Sequence, residues 1–356
     1  MAKEFDKKLV FEDGSEYYGY AFGAAGTKVC EAMFNTSPVG YQEIVTDPTY
    51  TDQLVVMTYP VIGNCGICDE DDETKIPNLG ALAVRDYNDL PSNFRSTRTL
   101  AGVMEEFDIP GITGIDTRKL VRSIRDHGSR LCCICDADMK KEDAIALIKS
   151  TPVRTDAVKR VSTRAKRYSK TAHPKFNVVA VDCGVRLTTM KTLNRCGCNV
   201  TVVPYDTAAE EVLSMRPDGV LFTDGPGNPE DVPETVALLK SLLGRVPVFG
   251  EGLGHQLLAL AYGAKTVKMK FGHRGGNYPV RELATGKIEI TSQNHSFVVD
   301  KESLQSTPLA VTQTNVIDGT VEGMECAKDK AFSVQYHPTA AAYVKFTALM
   351  EEHRNA

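Results

Sequence analysis

Residues 248–264 read VFGEGLGHQLLALAYGA. A short apolar run leads into glycines at alternate positions, Gly250, Gly252 and Gly254, and then into an apolar stretch of helical character. This is the layout of a nucleophile elbow, a strained strand-to-helix turn that pushes a reactive side chain out at the top of a sheet. The central position, however, is Gly252. A hydrogen atom attacks nothing, so the stretch points to the fold while withholding the group the turn normally presents.

Upstream of the elbow, apolar runs and amphipathic stretches alternate regularly. FNVVAVD reads as a buried strand, LTTMKTLNRCG as a helix, NVTVVPYD as a strand and AAEEVLSMR as a helix. DGVLFTDGPG is then a strand ending in glycines, VPETVALLKSLLG a helix, and VPVFG the strand entering the elbow. Strands that read as unbroken apolar runs between helices predict an α/β fold with a doubly wound, mostly parallel sheet. Ligands on such sheets bind beyond the carboxyl ends of the strands, where TDGPGNP and GEGLGHQ emerge. Glycines there let backbone N–H groups approach a ligand, as an oxyanion hole requires, although either loop alone also reads as a tight turn.

Working outward, residues 151–175 (TPVRTDAVKRVSTRAKRYSKTAHPK) are polar, basic and without apolar periodicity, which predicts an exposed linker. Residues 1–150 carry short alternating stretches such as KKLVFEDGSEYYGYAFG and QLVVMTYPVIG, with DTRKLVRSIRDHG and KKEDAIALIKS as helices. They predict a small mixed α and β domain, and residues 176–356 form the parallel-sheet domain. The 356 residues, 42% hydrophobic and 24% charged, suffice for two cores. A formal charge of -5 with interspersed signs argues against nucleic-acid and membrane binding. No apolar run reaches a membrane span and MAKEFDKKLVFEDG has no signal-peptide core, so a cytoplasmic location is expected.

Ten cysteines in a cytosolic chain are expected to stay reduced. Cys65 and Cys68 form a C-x-x-C pair, and Cys132, Cys133 and Cys135 crowd one segment. No second pair or nearby histidine completes a zinc set, so small core residues are the better reading and no metal is expected. Downstream of the elbow, KIEITSQNHSFVVD and AFSVQYHPTAAAYVKF place His295 and His337 at strand ends. A histidine late in the chain, after an elbow, fits the order of an acyl-transfer triad with the base last.

These residues carry a specific resemblance. FNTSPVGYQEIVTDPTY, TYPVIGN, PSNFRS, IPGITGIDTRKL, PDGVLFTDGPGNP, LGHQLLALAYGAKTVKMKFGHRGGNYPV, SQNHSFVVD and SVQYHP make the chain similar to the small subunit of carbamoyl-phosphate synthetase, a class I, triad-type glutamine amidotransferase. In that family a thioester forms on the elbow cysteine, and ammonia passes to a large ATP-using subunit that makes carbamoyl phosphate for arginine and pyrimidine biosynthesis. The family's elbow reads G-I-C-L-G-H-Q and its base segment H-P-E. Here Glu251 stands for the Ile, Gly252 for the Cys and Thr339 for the triad Glu, while His337 keeps the base position.

The resemblance further implies oxyanion donors at the N–H groups of Gly225 and Leu253. It implies glutamine contacts at Ser37, Gly227, Gln256, Asn294 and Phe297, with Ser296 where the family usually has Gly. It implies a large-subunit partner, docked through the first domain, that would carry the ATP and divalent metal, with no cofactor on this chain. Glu251 either repels a substrate carboxylate or turns away into a salt bridge. Cys183, at the end of the first parallel strand where the family usually has Phe, is the alternative nucleophile. The expectation is a subunit of a ligase heteromer whose own glutaminase is silent, or a non-catalytic glutamine-binding regulatory protein. Glu251→Ile, Gly252→Cys and Thr339→Glu together are the expected repair.

Overall fold

The computed structural model describes residues 4–355. The leader reading of the opening stretch extends into residues 1–3, outside that range. The chain divides into two compact units, Met1–Arg154 and Thr155–Ala356.

In the first unit, strands close into a barrel. Around it run Lys7–Phe11, Glu16–Gly23, Pro110–Thr113, Ala81–Ala83, Gln53–Met57, Lys28–Asn35 and Arg130–Asp136. The last pairs antiparallel with the first, Leu9 opposite Ile134, and so closes the ring. Cys132, Cys133 and Cys135 lie fully buried on that closing strand, as the core reading expects. The helices Thr117–His127 and Lys141–Ser150 appear where the sequence predicts them.

In the second unit, one sheet of described strands runs Arg167–Ser169, Cys198–Pro204, Phe176–Asp182, Gly219–Phe222, Val248–Glu251, Ala331–Val334, Val321–Cys326, Ala310–Asn315, Thr266–Glu282, Ile288–Val299. From Cys198–Pro204 to Ala331–Val334 the neighbours are parallel. Successive residues of these strands face opposite layers. Val179, Val181, Val220, Phe222 and Val248 pack with the helices Pro233–Leu242 and Leu253–Ala261, whereas Val178, Ala180, Leu221 and Phe249 pack with Leu187–Arg195 and Ala340–Arg354. Both faces are covered, which is why these strands read as continuous apolar runs.

The stretch 151–175 is more ordered than an exposed linker. It holds a short helix, Ala157–Val161, and the edge strand Arg167–Ser169, antiparallel to Cys198–Pro204. A polar, mostly exposed edge strand has no apolar alternation to betray it.

Candidate active site

The elbow is built as the glycine pattern requires. Val248–Glu251 ends in the sheet centre and Leu253–Ala261 starts one residue later. Gly252 between them has φ 54° and ψ −109°, a conformation that strains any side-chain-bearing residue. A Cβ on Gly254 would lie 2.2 Å from the Phe222 carbonyl oxygen, so helix and neighbouring strand can meet only over a glycine.

The two predicted oxyanion donors do converge. The N–H groups of Gly225 and Leu253 point to one position, at 2.8 Å and 2.9 Å from a single oxygen. That spacing fits donors aimed at an oxyanion. The oxygen is Oδ1 of Asp224, a residue that sequence reasoning overlooked. Asp224 is 3% exposed, and its Oδ2 lies 3.9 Å from His337 Nε2, beyond hydrogen-bond range. A Cβ placed on Gly252 would fall 2.0 Å from Asp224 Oδ1 and 2.1 Å from its Cγ. A cysteine at 252 therefore does not simply deliver its thiol toward His337, because the Asp224 carboxylate already fills that volume. The one available signal was an acidic residue directly before the donor glycine in TDGPG, which reads locally as an ordinary turn residue.

His337 is partly buried, and burial, the Arg186 charge and nearby His295 hold its imidazole well below the usual histidine range, so it is neutral at pH 7. Thr339 caps no backbone group of the helix Ala340–Arg354 that follows it. His295 belongs to a separate buried cluster: its Nδ1 faces the Phe297 carbonyl at 3.0 Å and its Nε2 faces Gln293 Oε1 at 3.1 Å. His273, His295 and Glu322 are the one grouping among the described residues whose ligand atoms lie close enough for a metal. His273 is already engaged there with Asp318 at 2.8 Å and Gln293 at 2.9 Å. Cys65 and Cys68 join no such grouping among the described residues.

Glu251 turns away from the elbow. Fully buried, it accepts from Thr189 Oγ1 at 3.0 Å and Tyr343 Oη at 3.1 Å. Burial raises its pKa, opposed by the Arg186 charge, these hydroxyls and the Asp224 N–H. Of the two alternatives for this residue, the structure favours turning away, with the hydroxyls of Thr189 and Tyr343 as partners where a salt bridge was expected. Cys183 is also buried, packed among Val179, Val181 and Leu253, with its thiol pushed well up by burial. It stands in the core instead of on the rim, which removes it as a nucleophile.

Of the predicted glutamine contacts, Gln256 donates to the Phe297 carbonyl at 2.8 Å and to Gln335 Oε1 at 3.0 Å. Gln335 in turn donates to the Gly252 carbonyl at 3.2 Å, which ties this group to the elbow. Asn294 is buried on the Ile288–Val299 strand, opposite Arg274. The Ser296 hydroxyl accepts from the Arg274 guanidinium and so anchors a buried arginine. Gly227 follows Gly225 at φ 90°. Ser37 lies in the first unit, after the strand Lys28–Asn35, its N–H bonded to Asn35 Oδ1 at 2.7 Å.

Strand, elbow, paired N–H donors and a late histidine are the arrangement of a class I glutamine amidotransferase, and residues 179–352 match that family, described as Glutamine amidotransferase class-I. Residues 9–134 match Carbamoyl-phosphate synthase small chain, CPSase domain. The chain is 48% identical over 357 aligned residues, 98% of each chain, to the Carbamoyl phosphate synthase pyrimidine-specific small chain of Halalkalibacterium halodurans. It is 46% identical to the Carbamoyl phosphate synthase small chain of Fusobacterium nucleatum, covering 95% of this chain and 94% of that one. The chain belongs to the carbamoyl-phosphate synthase small chain family. No helix among the described residues is long and apolar enough to cross a membrane.

Proposed function

We propose that this chain is a carbamoyl-phosphate synthase small chain that does not hydrolyse glutamine, and that it serves as a subunit beside a large subunit using free ammonia. The observation that carries the reading is the elbow: a turn with nucleophile geometry whose central residue is Gly252. Thioester formation needs a thiolate, and no cysteine stands in its place. His337 could still carry a proton, but Thr339 offers at most a neutral hydrogen bond where a carboxylate would stabilise an imidazolium.

The surface-bearing segments NTSPVGYQE, PSNFRS and GIDTRKL match the family although the triad does not. On this reading the first unit still docks a large subunit, which carries the ATP and metal chemistry, in arginine or pyrimidine biosynthesis. A glutamine-sensing role is less well supported, because the oxyanion hole holds an acidic side chain of the protein itself. The test is co-purification with a cognate large subunit, followed by carbamoyl phosphate synthesis with ammonia or glutamine as nitrogen source. Ammonia-dependent synthesis with no glutamine-dependent rate is expected. Ammonia release from labelled glutamine, or failure to associate at micromolar concentration, overturns the proposal.

A further inference from the structure

The site lacks its nucleophile, and it is also full. Asp224 Oδ1 takes both N–H donors, at 2.8 Å and 2.9 Å. Its carboxyl carbon stands 2.1 Å from where a Cβ at position 252 would be. One buried side chain thus covers two places at once: that of the substrate carbonyl oxygen and that of the nucleophile's side chain.

We propose that Asp224 is a built-in occupant of the oxyanion hole, which closes this pocket to carboxamide substrates and makes Gly252 its structural complement. The inference rests on the reading of the chain as a silent glutaminase and adds a second cause of that silence, one coupled to the first through Gly252. An ionised carboxylate oxygen bonds backbone N–H donors more strongly than a neutral amide oxygen does. Being tethered one residue from Gly225, it also competes at high effective concentration, with little loss of freedom on binding. Glutamine would have to expel this side chain, 3% exposed, before its carbonyl reached the donors. Conversely, the carboxylate can rest there only because residue 252 has no side chain.

The neighbouring contacts reinforce that placement. The backbone N–H of Asp224 favours the charged form of Glu251, whose oxygens are held by Thr189 and Tyr343. Glu251 therefore interacts with the Asp224 backbone while the Asp224 side chain takes the Gly225 and Leu253 donors. Gly225 cannot take a side chain either, since a Cβ there would lie 2.3 Å from the Cys183 carbonyl oxygen. The donor next to Asp224 is thus pinned on both sides.

The experiment compares Gly252→Cys with Asp224→Ala/Gly252→Cys in the full chain. The probe is a glutamine-like diazoketone that alkylates an elbow thiol, and the readout is mass spectrometry of the peptide carrying residue 252. With the charge-assisted bonds removed, the double variant is expected to label at least about tenfold faster than the single one. Equal labelling rates in two folded variants overturn the proposal. A second measurement needs no cysteine: in Asp224→Ala, hydrogen exchange at the Gly225 and Leu253 amides should rise about tenfold or more over the parent, while the Val248 amide, bonded to the Lys330 carbonyl at 3.1 Å, stays protected. Unchanged exchange at both donor amides likewise overturns it. Glutaminase activity in the parent chain would refute the proposed function without altering either comparison, so the two failures are distinguishable.

Discussion

Replacing Gly252 by alanine should destabilise the second unit far more than a surface glycine substitution would, and mainly through Asp224. The residue has φ 54° and ψ −109°. Holding an L-residue there costs about 1–3 kcal/mol. The new Cβ would stand 2.0 Å from Asp224 Oδ1, so the carboxylate must leave its two donors. Those charge-assisted bonds contribute about 1.5–3 kcal/mol each, partly offset when the expelled carboxylate regains water. The sum is a loss of about 3–5 kcal/mol, or a fall in Tm of about 6–20 °C for a unit of this size. In an Asp224→Ala background only the backbone strain remains, so the same substitution should cost about 1–3 kcal/mol. The difference, a coupling of about 2 kcal/mol, is what a double-mutant cycle measures. The chain has no Trp, so urea and thermal unfolding are followed by circular dichroism. Costs that agree within about 0.5 kcal/mol in the two backgrounds would refute the reasoning, because residues in true steric conflict cannot behave additively.

Glu251→Ile, part of the repair suggested by family resemblance, should lower stability by about 2–4 kcal/mol. It strands the Thr189 and Tyr343 hydroxyls and removes a carboxyl group facing Arg186, which is 5% exposed; chemical unfolding checks it. Because Asp224 still fills the volume over the elbow, the triple change Glu251→Ile, Gly252→Cys, Thr339→Glu should stay at background in glutamine hydrolysis, whereas Asp224→Ala, Gly252→Cys, Thr339→Glu should release ammonia measurably, provided circular dichroism shows each variant folded. His273 is held up at about 9, against the cost of burial, by its hydrogen bond to Asp318 and the nearby Glu322 carboxylate. Its folded pKa lies above the unfolded value of about 6.5, so its contribution is complete below that pH and disappears as pH rises through 9. The stability gap between the parent and His273→Gln should therefore be widest at pH 6 and narrow by pH 9.5, and a gap that stays constant over that range counts against the ion pair.

The legible and the hidden parts of this molecule differ in the range of the interactions that specify them. Phe176–Asp182 was readable because both its faces are buried and the run from Val178 to Val181 reports that locally. The elbow was readable because a strained turn and two tight backbone contacts each demand glycine at a fixed spacing. Barrel closure was not, since Leu9 meets Ile134 across a sequence separation that no local pattern records. Nor was the strand Arg167–Ser169, whose polar residues sit at an edge and bury little. Asp224 is the instructive case. Its neighbour in the chain, Gly225, is one donor, but the other, Leu253, lies on a different strand-to-helix connection, and the parallel pairing of Gly219–Phe222 with Val248–Glu251 brings them together. Two features that look unrelated in sequence, an acid in one loop and a missing side chain in the next, thus occupy a single volume. An acid placed over the elbow requires glycine beneath it, and glycine beneath it leaves the donors unpaired unless something such as that acid fills the gap. Their joint presence is therefore better explained as one packing solution than as two unrelated features.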